Sequence, residues 1–154
     1  MESEFRAYNF VQATDSVATS GVVPLDEFEE IAAAGYKLVI NLLPDDNQYA
    51  QAGEAATVAR LGMGYVHIPI DIERPTREDY DQFRAAMEDH KSEQVWVHCA
   101  ANWRVSALFG IYAQERLGWS QARARAFVSP IWEPTAIWTD LEKQVLEPTS
   151  SRFP

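Results

Sequence analysis

Gln94-Val95-Trp96-Val97-His98-Cys99-Ala100-Ala101-Asn102-Trp103-Arg104-Val105-Ser106 decides how this chain is read. An apolar strand delivers the only cysteine of the sequence into a short loop closed by an arginine, and a helical pattern follows from Trp103 to Leu117. Strand, loop and helix in that order place Cys99 at a helix start. The first N–H groups of a helix have no partner inside it, and together with the helix dipole they favour a bound oxyanion or a thiolate. Arg104 can add a planar, two-pronged clamp for the same kind of ligand.

The segments around this stretch alternate between strand and helix. Tyr8 to Gln12 and Ser16 to Thr19 are β-prone pieces joined by a short turn, as in a hairpin at a sheet edge. Pro24 opens a helix through Ala34, with Gly35 as its stop. Lys37 to Leu43 is too continuously apolar for a half-exposed strand and reads as a buried parallel one. A helix from about Tyr49 to Leu61, a strand from Tyr65 to Ile70 and a helix from Thr76 to His90 follow, the last with Asp79 completing a capping box. Beyond Gly118, Ser120 caps a helix through Phe127, and Pro134 opens a final one to about Leu146. The expected fold is α/β: a central, mainly parallel sheet of about four to five strands flanked by helices, in one domain covering residues 1–154. Ligands of such sheets sit at the carboxyl ends of the strands. Asp45 and Asp46, Asp71 and Glu73, and the Cys99 loop are therefore expected to converge there.

Composition narrows the partners. Hydrophobic residues make up 47% and charged residues 23% of 154, the balance of a globular chain. A formal net charge of −10 argues against nucleic acid or an anionic membrane as partner, since both call for a basic face. One cysteine excludes an internal disulfide. Met1-Glu2-Ser3-Glu4-Phe5-Arg6 lacks the basic start and apolar core of a signal peptide, and no apolar run is long enough to span a bilayer, so a cytoplasmic location is expected. His67 and His90 have no metal-ligand spacing with Cys99, and neither a metal nor another cofactor is expected.

The segment His98-Cys99-Ala100-Ala101-Asn102-Trp103-Arg104 resembles the phosphate-binding loop of cysteine-dependent protein tyrosine and dual-specificity phosphatases. Four residues separate Cys99 from Arg104, one fewer than in that family. Asn102 stands where glycine is usual, and asparagine is the side chain that best tolerates left-handed backbone. The missing residue falls between Asn102 and Arg104, which turns the arginine by about a hundred degrees around its helix unless something compensates. The family's hydroxyl after the arginine is displaced as well: Val105 follows Arg104, and Ser106 comes one later. Three upstream segments also resemble, in order, small bacterial dual-specificity-phosphatase-like proteins, a family found fused to metallo-hydrolase domains in beta-lactamase hydrolase-like proteins. They are Ala18-Thr19-Ser20-Gly21, Gly35 to Asp45 and Gly64 to Ile70, and the resemblance covers roughly residues 8 to 118.

This resemblance implies a phosphatase in which Cys99 is the nucleophile. Ala100, Ala101, Asn102, Trp103 and Arg104 would bind phosphate, while His98 orders the loop and Ser106 supports it. A general acid must protonate the departing oxygen. Asp71, twenty-eight positions before Cys99 and just past a strand, takes that role in the family's pattern, with Glu73 and then Asp45 or Asp46 as alternatives. Trp103 is a candidate pocket wall. Trp132-Glu133-Pro134 resembles the mobile acid loop of tyrosine phosphatases but comes after the Cys loop and in the wrong order, so Pro134 is read as a helix start. The partner is then a phosphorylated small molecule or a phosphoprotein, with the oligomeric state unspecified. Two other readings stay open. Rhodanese-type sulfurtransferases use a Cys loop as long as Cys99 to Arg104, six residues, which suits a persulfide. An oxyanion-binding or interaction module without turnover also fits the short loop and Val105.

Overall fold

A computed structural model describes residues 5–147. Its strands are β1 (Val11–Gln12), β2 (Val17–Ser20), β3 (Tyr36–Asn41), β4 (Gly64–His67) and β5 (Gln94–His98). Its helices are α1 (Phe28–Ala33), α2 (Glu54–Arg60), α3 (Arg77–Asp89), α4 (Trp103–Arg116), α5 (Gln121–Val128) and α6 (Ala136–Leu146). The sheet order is β1-β2-β5-β3-β4, with only the β1–β2 edge hairpin antiparallel, so the expected mainly parallel α/β architecture is what forms.

Two-residue alternation builds a core on each face of the sheet. Leu38, Ile40, Val95 and Val97 point to one side, where Val105, Leu108 and Phe109 of α4 meet Tyr80 and Phe83 of α3 and Trp138 of α6. Val39, Ala18 and Trp96 point to the other, against Phe28 and Ile31 of α1 and Val58 of α2. β3 and β5 are thus covered on both sides, which is why their sequences are unbroken apolar runs. Trp96 is fully buried and donates its indole N–H to Ser20 Oγ at 2.9 Å, tying β5 to the end of β2.

Several boundaries differ from the sequence reading for local reasons. The first helix opens as a 3-10 turn over Leu25–Glu27 before becoming α1. The second begins at Glu54, not Tyr49, because the Tyr49 N–H turns back to Asn47 Oδ1 and left-handed Gly53 (φ 88°) redirects the chain. Leu43 leaves β3 because its N–H is taken by Asn41 Oδ1 at 2.8 Å. The last helix starts at Ala136, with Thr135 rather than Pro134 at its boundary. The Thr76–Asp79 capping box forms as expected. Among the described residues no helix is long and apolar enough to cross a membrane.

Candidate active site

Ser20, His98 and Asn41 stand in register across β2, β5 and β3, with His67 beside Asn41 on β4. This polar row marks the carboxyl edge of the parallel strands. From here β3 leads into α2 on one face and β5 leads into α4 on the other. Strand ends that part in this way form the crevice where open α/β sheets bind ligands.

The Cys loop occupies that crevice and is gripped from the N-terminal segment. The Cys99 N–H donates to Ser20 O at 3.3 Å, and the Val22 N–H to Ala100 O at 3.0 Å. Asn102 adopts the left-handed conformation (φ 69°, ψ 13°), and its Nδ2 donates to Asn9 O at 2.9 Å and Thr19 Oγ1 at 3.1 Å. Asn9 is itself left-handed (φ 51°) and returns a bond from its Nδ2 to Ala101 O at 3.0 Å. Asn102 thus holds the Asn9 carbonyl and Asn9 the Ala101 carbonyl, and the pair fixes the short loop at its turn. Gly21 makes this fit possible: a Cβ there would lie 2.3 Å from Ala100 O.

These grips use carbonyls and leave the amides free. Among the described residues no hydrogen bond takes the N–H of any residue from Ala100 to Val105, six consecutive donors running from the loop into the first turn of α4. No acidic side chain occupies that turn. Cys99, at 0% exposure, lies beneath the loop. Arg104 is 6% exposed and donates Nε–H to Ile70 O at 2.8 Å, so the guanidinium links α4 to the residue just before Asp71. Ser106 is buried and its hydroxyl donates back to Trp103 O at 3.2 Å.

β4 ends at His67 and not at the expected Ile70, so Asp71 lies four residues past the strand, and its side chain is 55% exposed. Its Oδ1 accepts the Glu73 N–H at 2.9 Å and its Oδ2 lies 3.7 Å from Arg74 Nε. Glu73 is exposed in the same turn, and Asp45 and Asp46 are exposed after β3. Trp103, 42% exposed, stacks on Trp132 with centroids 5.0 Å apart and planes 5° from parallel. Trp132 meets Trp138 edge-on at 6.2 Å, and Trp138 Nε1 donates to Ile72 O at 2.8 Å. Trp132 is thus one link of a chain joining the Cys loop to the Asp71 segment.

Sequence reading missed Glu54. His98 Nδ1 faces Cys99 O at 3.3 Å, and its Nε2 lies 2.5 Å from Glu54 Oε2. Tyr65 donates its hydroxyl to the same Glu54 oxygen at 3.1 Å and accepts from Asn41 Nδ2 at 2.9 Å. Burial pushes the Tyr65 hydroxyl above its ordinary range, with the nearby Glu54 carboxylate adding to it against the Asn41 bond, so the phenol stays a donor. No group of three or more His, Cys, Asp or Glu able to hold a metal occurs among the described residues.

Residues 9–115 match the family described as the phosphatase-like domain of beta-lactamase hydrolase-like protein. A beta-lactamase hydrolase-like protein of Xylella fastidiosa (strain Temecula1 / ATCC 700964) is 32% identical over 104 residues, covering 66% of this chain and 24% of the relative. The chain thus spans about a quarter of the length of that relative. A crystallised DUF442 protein of Shewanella putrefaciens CN-32, named as a candidate phosphatase, shares 31% identity with a TM-score of 0.82, covering 96% of this chain and 92% of its own. PTPMT1, solved in complex with PI(5)P, shares the fold at 12% identity with a TM-score of 0.77, covering 94% of this chain and 98% of its own.

Proposed function

Because the chain belongs to the family of beta-lactamase hydrolase-like phosphatase-like domains, we propose that it hydrolyses phosphate monoesters through a cysteinyl-phosphate on Cys99. The thiolate attacks phosphorus in line, the S–P bond forms, and the P–O bond to the leaving group breaks. The Asp71 carboxyl gives its proton to the departing oxygen, then takes one from the water that attacks phosphorus and frees the thiolate. The free amides from Ala100 to Val105 receive the non-bridging oxygens, joined by the Nη groups of Arg104, whose Nε is held by Ile70 O. His98 keeps the Cys99 carbonyl turned away from the oxyanion.

One observation carries this reading: six unpartnered amides beginning one residue after a lone cysteine, with no internal anion among them. The substrate is a phosphorylated small molecule or a phosphoprotein, met in the cytoplasm. The test is hydrolysis of p-nitrophenyl phosphate. Cys99→Ser abolishes it, and Arg104→Lys lowers it by about 10²–10³-fold because a point charge replaces the planar fork.

The complete burial of Cys99 favours a second reading, an oxyanion-binding module without turnover. Phosphate binding by a wild-type protein that releases no p-nitrophenol supports it. Thiocyanate production from thiosulfate and cyanide by the same protein moves the assignment to a sulfurtransferase.

A further inference from the structure

The buried chain Asn41, Tyr65, Glu54, His98 lies behind the Cys loop, and of its members only His98 enters the proposed chemistry. The side chains of Glu54 and His98 are 5% and 2% exposed. A carboxylate oxygen and a backbone carbonyl are both acceptors only, and they face the two nitrogens of one imidazole. A neutral imidazole has a single N–H and can satisfy one of them. The doubly protonated ring satisfies both, and its charge offsets that of a carboxylate taken out of water. Tyr65, held as a donor, satisfies the same carboxylate from the other side. The Phe28 ring packs against His98 with centroids 6.2 Å apart. Asp45 is the other acidic group acting on Tyr65. Gly53, left-handed at φ 88°, lets the chain turn so that the first residue of α2 carries its carboxylate inward.

We infer that Glu54 is a positioning residue: it holds His98 as an imidazolium whose Nδ1–H is bonded to the Cys99 carbonyl, fixing the loop and placing a positive charge beside the thiol. The inference rests on Cys99 being the reactive thiol of the Proposed function, although its first two readouts need no turnover.

The test compares the wild type with Glu54→Gln, Glu54→Asp and Tyr65→Phe, using circular dichroism to confirm that each is folded. Nitrogen–proton correlation spectra at neutral pH show two ring protons on His98 in the wild type and one in Glu54→Gln. Alkylation of Cys99 by iodoacetamide slows about tenfold in Glu54→Gln, since a less favoured thiolate reacts more slowly. Glu54→Asp recovers part of that rate, and Tyr65→Phe shows a smaller loss in the same direction. With p-nitrophenyl phosphate, kcat falls by a similar factor while KM stays within about twofold, because the substrate oxyanions meet the same amides. A single ring proton on wild-type His98, or an unchanged alkylation rate in folded Glu54→Gln, overturns the inference. The two ring protons and slowed alkylation in a protein that hydrolyses nothing leave it standing and remove the phosphatase reading instead.

Discussion

The Cys99 loop and the segment after β4 end neighbouring regions of the same sheet edge, yet they are held in opposite ways. In the Cys loop Cys99, Asn102 and Arg104 are buried, the loop is bonded to Asn9, Ser20 and Val22, and its turn residue Asn102 also reaches Thr19. The segment carrying Asp71 is pinned at its backbone, by Arg104 on Ile70 O and Trp138 on Ile72 O, while the carboxylate between these points lies open to solvent. A nucleophile that must meet phosphorus in line needs a fixed seat, whereas an acid that serves different leaving groups needs only a fixed base. If this division is right, substitutions in the first region damage folding and chemistry together, and substitutions in the second damage chemistry alone.

Gly21→Ala should produce the largest structural effect. The added methyl meets backbone atoms, which cannot rotate away, and overpacking of this kind costs about 1–3 kcal/mol or more. Urea denaturation should register the loss, and p-nitrophenyl phosphate hydrolysis should fall with it. Full stability in this variant would mean that the grip of β2 on the loop is slack. Asn102→Ala comes next: it places a β-carbon residue in left-handed backbone and removes two hydrogen bonds, for roughly 2 kcal/mol together. Asn102→Gly keeps the conformation and loses only the bonds, so it should recover part of that loss. The order Gly above Ala separates backbone strain from lost bonding.

Asp71→Asn sharpens the comparison from the other side. Its stability should stay within about 0.5 kcal/mol of wild type, as for an exposed surface site. Hydrolysis of an alkyl phosphate should drop by about 10²–10⁴-fold, the usual worth of a general acid, and that of p-nitrophenyl phosphate far less, because its phenolate leaves almost unaided. Equal losses on both substrates would move the acid role to Glu73, then to Asp45 or Asp46, and Glu73→Gln is the variant to measure then. Among the Cys-loop substitutions Trp103→Ala should have the smallest effect, about 0.5–1.5 kcal/mol in urea denaturation, from the loss of a half-exposed stack on Trp132.

The strand, loop and helix around Cys99 were legible because each carries a local signal: a β-branched run, a lone cysteine, and helical spacing ended by Gly118. The edge hairpin and the Thr76–Asp79 cap were legible for the same reason. Glu54 was not. An acidic residue near the start of a helix reads as ordinary first-turn charge, and its partner His98 lies forty-four positions away. Only the packing of α2 across the end of β5 brings them together. The place of Trp132 was not legible either, since its stacking on Trp103 is a tertiary contact across twenty-nine positions. The compensation for the short loop was half legible: the left-handed preference of Asn102 is a property of the residue, but its exchange with Asn9 spans ninety-three positions.

The central claim is that Cys99 carries the phosphoryl group, and intact-mass measurement of acid-quenched turnover tests it most directly. Wild-type protein mixed with p-nitrophenyl phosphate and quenched within the first turnovers should gain the mass of one phosphoryl group, located by fragmentation on Cys99. Asp71→Asn should accumulate more of that adduct, because its second step lacks a base, and Cys99→Ser should carry none on that side chain. Steady phosphate release with no adduct on Cys99, or undiminished release by Cys99→Ser, would contradict the account.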